Sequence, residues 1–189
     1  MDPLRRGPLL ATLALTLCVL APAEPAAAAE PVRVVDPTAI RCAELLRLGD
    51  AERTRVALWL DGLLKGARWG PTDRRGDTAV GRSLSGVLEA CAAAPERTLV
   101  EVWSQRYPGG PGDVHPLVLT CREWAALSPG LRAQVVAWNE GFAKARAPSG
   151  APGFAVPVAR DLAPLASACR RTPERVLAEA LSEGAGSPR

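Results

Sequence analysis

The sequence predicts an all-α protein of two tandem small four-helix modules, each closed by one disulfide. Three observations lead there: a long segment recurs 79 residues later, apolar residues fall at helical spacing, and each copy holds two cysteines at matched places.

The recurrence comes first. Cys42-Ala43-Glu44-Leu45-Leu46-Arg47-Leu48 returns as Cys121-Arg122-Glu123-Trp124-Ala125-Ala126-Leu127. At the same offset Arg53 meets Arg132, Val56 meets Val135, Trp59 meets Trp138, Gly62 meets Gly141 and Lys65 meets Lys144. One residue is then lost, and Val80, Arg82, Leu84, Ala90 and Cys91 meet Val158, Arg160, Leu162, Ala168 and Cys169. Pro95-Glu96-Arg97 and Leu99 meet Pro173-Glu174-Arg175 and Leu177. Chance would match alanines. It would not align both cysteines, a tryptophan, a glycine and both lysines in order.

Along the chain, an export signal opens the sequence. Arg5 and Arg6 give a positive start, Leu9 to Leu20 an apolar run, and Ala27-Ala28-Ala29 a cleavage pattern. We place the signal peptide at residues 1–29, with Ala21-Pro22-Ala23 as an earlier cleavage choice. The apolar run is shorter than the ~20 residues that a spanning helix needs. No later segment is long enough either, so no membrane insertion is expected after cleavage. Module 1 covers 36–106, a Gly/Pro linker 107–118, and module 2 119–183. Pro/Gly-rich stretches at 69–76 and 147–153 read as loops inside the two modules.

Within a module the helices follow from caps and stripes. Thr120 with Glu123 forms a capping box, and Ser128-Pro129 supplies a cap and a first-turn proline. Leu131, Val135, Trp138 and Phe142 then form one apolar stripe. In module 1 Asp50 is the expected cap, with Val56, Trp59, Leu60 and Leu63 as the stripe. Leu84, Val87, Leu88 and Cys91 share a third face, matched by Leu162, Leu165 and Cys169. Thr172-Pro173-Glu174 is expected to open the last helix, with Val176, Leu177 and Ala180 inward.

Cleavage would remove Cys18 and leave four cysteines, an even number suited to an oxidising compartment. Four allow three pairings. The repeat favours Cys42–Cys91 and Cys121–Cys169.

Chemistry is sparse. There is no C-x-x-C, and the single histidine, His115, lies in the linker and is expected to be solvated. No metal, cofactor or histidine-dependent triad is therefore expected, and the chain does not read as an enzyme. Glu123 reads as a cap and Glu44 as a surface residue. The precursor's net charge of +3, scattered along the chain, does not mark a nucleic-acid surface. Trp59 and Trp138 are expected in the core, and Trp69, Trp103 and Trp124 are expected partly exposed. Gly62 and Gly141, inside helical patterns, are expected to permit close packing or a kink, and Lys65 and Lys144 to complement helix ends.

The order signal, C-x-E-x-x-x-L, Trp-x-x-Gly, then Cys-x-x-x-Pro-Glu-Arg-x-Leu resembles the HdeA/HdeB family of periplasmic acid-stress chaperones. The resemblance implies a small helical domain with one disulfide, periplasmic location, and a dimer that is closed at neutral pH. It also implies opening in strong acid and binding of unfolded or acid-denatured periplasmic proteins through exposed apolar surface. Trp59, Leu63, Trp138 and Phe142 are the candidate client-binding residues, and the two copies are candidates for an internal pseudo-dimer. A constitutively folded periplasmic binding module, an inhibitor or immunity-type protein with one partner, is the alternative.

Overall fold

Each half of the chain is organised by one long helix whose start is fixed by local hydrogen bonds. The structure is a computed structural model that describes residues 33–68, 80, 84–105, 114–147 and 155–184. The signal at 1–29, Trp69, the linker up to 113 and most of both Pro/Gly loops lie outside the described residues.

In the first half, α1 (Cys42–Leu46), α2 (Asp50–Arg68), α3 (Ser85–Ala93) and α4 (Leu99–Gln105) follow in order. In the second, α5 (Cys121–Ala126), α6 (Pro129–Arg146), α7 (Ala163–Arg171) and α8 (Leu177–Gly184) repeat that order with similar lengths. The all-α expectation holds. Two short strands, β1 (Val34–Val35) and β2 (Val156–Pro157), pair antiparallel.

The caps explain the boundaries. Glu123 accepts from the Thr120 N–H at 2.8 Å while Thr120 Oγ1 accepts from the Glu123 N–H, so α5 begins as expected. Ser128 accepts from the Leu131 N–H and Pro129 takes the first turn of α6. Asp50 does not cap α2. It is the first helical residue and pairs with Arg53, while the Gly49 N–H donates to Glu52 at 3.0 Å.

The last helix also starts later than expected, at Leu177 rather than at Thr172. The Pro-Glu-Arg segment has another use. The carbonyls of Arg97 and Pro95 accept from the N–H groups of Cys42 and Ala43, at 2.8 and 2.9 Å. Arg175 and Pro173 do the same for Cys121 and Arg122. These donors belong to the first turns of α1 and α5, which have no partner within their own helix. The motif therefore clamps the first helix of each half instead of starting the fourth.

Both disulfides form as the repeat favours, Cys42–Cys91 and Cys121–Cys169, with all four cysteines buried. Each ties the clamped first helix to the third.

The cores are exchanged between halves. Val156 and Val158 pack into the first-half core with Leu45, Trp59 and Trp103. Leu58 and Val80 pack into the second-half core with Trp124 and Trp138. Backbone pairing secures the exchange: β1 with β2, Val158 N–H to the Arg33 carbonyl at 2.9 Å, and Val80 with Val114 in both directions. Residues 32–189 accordingly form one compact unit. Among the described residues no helix is long and apolar enough to cross a membrane.

The disulfides close loops with sequence separations of 49 and 48. Replacing Cys42 and Cys91 together by alanine should lower stability by about 4 kcal/mol on the chain-entropy account. Urea unfolding checks it, and an unchanged transition would show that the bridge contributes nothing.

Candidate functional site at the crossing of two long helices

α2 and α6 carry the chain's W-x-x-G segments, and the two segments lie on each other. Gly62 faces the backbone of Trp138, and Gly141 faces that of Trp59. A Cβ on Gly62 would collide with the Trp138 carbonyl oxygen and sit 2.9 Å from Phe142 N. A Cβ on Gly141 would collide with the Trp59 carbonyl oxygen and sit 2.9 Å from Leu63 N. One turn further, Gly66 repeats the close approach against Phe142 and Ala145. The glycines thus serve close packing, one of the two roles expected from sequence.

The four candidate client-binding residues are all brought to this crossing. Trp59, Leu63 and Trp138 are buried, Trp138 completely. Phe142 is half-buried and stacks on Trp138 with centroids 5.1 Å apart, and the Arg146 guanidinium lies 5.6 Å from its ring centroid. Ala57 and Leu58 are buried too, so α2 is covered well beyond its stripe.

Two carboxylates lie within this apolar crossing. Asp61 accepts from the Trp138 indole N–H at 2.8 Å and pairs with Lys65 at 3.2 Å. Both Asp61 and Lys65 are buried. Glu140 pairs with Arg55 of α2 at 2.6 Å and with Arg160, which follows β2. Arg55 also donates to the Pro157 carbonyl at 2.8 Å. Burial pushes the Arg55 pKa down. It does the same to Arg160, assisted by repulsion from Arg55. Glu140 is the charge that holds these two guanidinium groups together.

Several expectations need correction. Trp103 and Trp124 are buried core residues rather than partly exposed ones, Trp124 donating its indole N–H to the Arg132 carbonyl. The small helices leave each half few large groups to fill its interior, so the tryptophans are used there. Lys65 stands in the last turn of α2, where it is buried and paired with Asp61 one turn earlier, and Lys144 stands in the last turn of α6. His115 is half-buried rather than solvated.

The buried disulfide, the glycine crossing and the clamped first helix are now assigned to the motifs on which the resemblance rests. Residues 12–101 match the HdeA/HdeB family. The match takes in Cys42, Cys91 and Trp59–Gly62 and ends at Glu101 in α4. No curated protein and no solved structure matches the chain. That family is one of periplasmic acid-stress chaperones, which agrees with a non-enzymatic role.

Arg55, Asp61, Glu140 and Arg160 were not singled out as a site from sequence. One signal was present: Asp61 and Glu140 each precede the glycine of a W-x-x-G segment, in the centre of an apolar helix. Their partners are less legible, since Arg55 and Arg160 lie 85 and 20 residues from Glu140.

The glycines offer a direct test. Gly62→Ala and Gly141→Ala should each destabilise the fold by about 3 kcal/mol, the scale of a severe overpacking. Gly86 and Gly130, also helical, have open space where a Cβ would go. Gly86→Ala and Gly130→Ala should be neutral or stabilising by up to ~1 kcal/mol. Thermal unfolding of the four variants checks the contrast, and equal losses in all four would contradict the close crossing.

Proposed function

We propose that the chain is an exported, HdeA-like periplasmic acid-stress chaperone. Two tandem modules form an internal pseudo-dimer, closed at the α2–α6 crossing, and acid opens it to bind unfolding proteins. The carrying observation is that large apolar side chains and buried ion pairs occupy the same crossing. Trp59, Leu63, Trp138 and Phe142 are packed beside Asp61–Lys65 and Arg55–Glu140–Arg160. The family match over residues 12–101 supports the same kind of function.

The reading follows from charge. Residues 1–29 hold Asp2, Arg5, Arg6 and Glu24, which leaves 21 basic and 18 acidic side chains in the mature chain. Below about pH 3 carboxylates are mostly neutral. With His115 charged, the net charge rises from +3 toward +22. General repulsion then loosens the fold. Locally, protonating Glu140 leaves Arg55 and Arg160 repelling each other in a poorly hydrated place. Removing one member of a buried ion pair costs about 3–5 kcal/mol. The disulfides limit how far the opened modules extend, and the high charge keeps the protein and its bound clients soluble.

The helix starts add a pH-dependent contribution. Hydrogen bonds from the Thr98 backbone and side chain hold the Glu101 carboxyl below its usual range, and Thr120 does the same for Glu123. A depressed folded-state pKa means stabilisation that is present above the unfolded value and lost as pH falls through the folded value. The double variant Glu101→Gln, Glu123→Gln should therefore be less stable than wild type at pH 7, and the difference should shrink toward pH 3. Urea unfolding across that range measures it; a difference that grows in acid would reverse the sign.

The function itself is tested by tryptophan fluorescence and dye binding from pH 7 to 2, beside light scattering of an acid-denatured client. Reversible exposure below about pH 3 with suppressed client aggregation is expected. A chain that stays closed at pH 2 and protects no client would favour the constitutively folded binding module.

A further inference from the structure

We infer that the cavity between α6, β2 and α8 is a binding site, in the folded protein at neutral pH, for a small amphipathic carboxylate such as a medium-length alkyl acid. This goes beyond the acid-opened reading and does not depend on it, since it concerns the closed form.

The cavity has a volume of about 530 Å³. Ligand sites commonly span roughly 300–1,000 Å³, with mostly apolar walls and a few convergent polar groups. This one has that make-up. Trp59, Phe142, Val156 and Leu181 supply apolar wall, and Ala143 and Ala178 leave room where larger side chains would fill it. The charged groups are Arg55, Arg160, Lys144 and Glu140, with Asn139 and Ser182 as neutral polar lining. Arg55 and Arg160 share the single carboxylate of Glu140, so this cluster carries excess positive charge.

Geometry selects which cation meets the ligand. The Arg55 side chain is only 7% exposed and already donates to Glu140 and to the Pro157 carbonyl. The Arg160 side chain is 35% exposed while still paired with Glu140. Glu140 pairs with one terminal nitrogen of the Arg160 guanidinium, and the exposed part of that side chain can face a second carboxylate. An anion there would also relieve the repulsion between Arg55 and Arg160, two cations sharing one counter-charge. An alkyl chain would then lie over Phe142 and Leu181. A neutral lipid chain would use only the walls, and a cation would be repelled.

Decanoate is the probe, titrated into the mature, disulfide-bonded protein at pH 7 below its micelle-forming concentration, with binding read by calorimetry and amide NMR shifts. Decanol and decylammonium run in parallel. Decanoate should bind at least tenfold more tightly than decanol, and decylammonium should not bind measurably. Arg160→Gln should weaken decanoate at least tenfold, while Arg160→Lys keeps most of the affinity. Ala143→Phe, at an exposed position on α6, should block the cavity without disturbing the core, so binding is lost with an unchanged thermal midpoint. Equal binding of decanoate and decanol would overturn the proposal, as would decanoate binding that survives Ala143→Phe. So would the absence of any decanoate binding to the folded wild type. Because every arm is read at pH 7, none of these results bears on opening and client protection at pH 2.

Discussion

Two helices approach at backbone contact only where neither places a side chain in the gap. α2 and α6 meet that condition at Gly62 and Gly141, each lying on the carbonyl of the other helix's tryptophan. Much else depends on this contact. It brings Asp61 within reach of the Trp138 indole, sets Glu140 beside Arg55, and lays the Phe142 backbone against Gly62 and Gly66 of α2. Wider separation would leave the two carboxylates without partners on the opposite helix. It would also open the space that Trp59, Leu63 and Trp138 fill. Packing and electrostatics at the crossing are thus one constraint.

The exchanged segments reinforce it. The chain after α2 gives Val80 to the core of the second half, and the chain after α6 gives Val156 and Val158 to the core of the first. Short helices bury a thin core on their own. Sharing side chains between halves thickens both cores and couples them, so that loosening one removes wall from the other. The disulfides act at a different place, tying first helix to third within each half. A molecule built this way keeps its ion pairs at the joint between halves and its disulfide staples within each half.

Buried ion pairs are a poor source of stability compared with apolar packing, because both charges lose their water. Their presence at the crossing is better understood as a condition placed on it. The ionised carboxylates match Arg55, Arg160 and Lys65, and under the proposed function that match is what acid removes. An all-apolar crossing would carry no such dependence on pH.

Local features of the fold were legible from residues alone. The Thr120–Glu123 box, the Ser128-Pro129 start, the apolar stripes and the disulfide pairing need only neighbouring residues or matched spacing, and the structure bears each of them out. The late start of α8 was hidden because Pro173 and Arg175 give their carbonyls to a helix some 50 residues earlier, and that long-range use overrides a local proline signal. Asp61 and Glu140 show the same limit. The sequence determined that an acidic residue precedes each glycine, but a carboxylate's role depends on which cations reach it. Arg55 and Arg160 are distant in the chain, and only the tertiary structure, by closing α2 on α6 and returning β2 to the joint, decided that they meet Glu140.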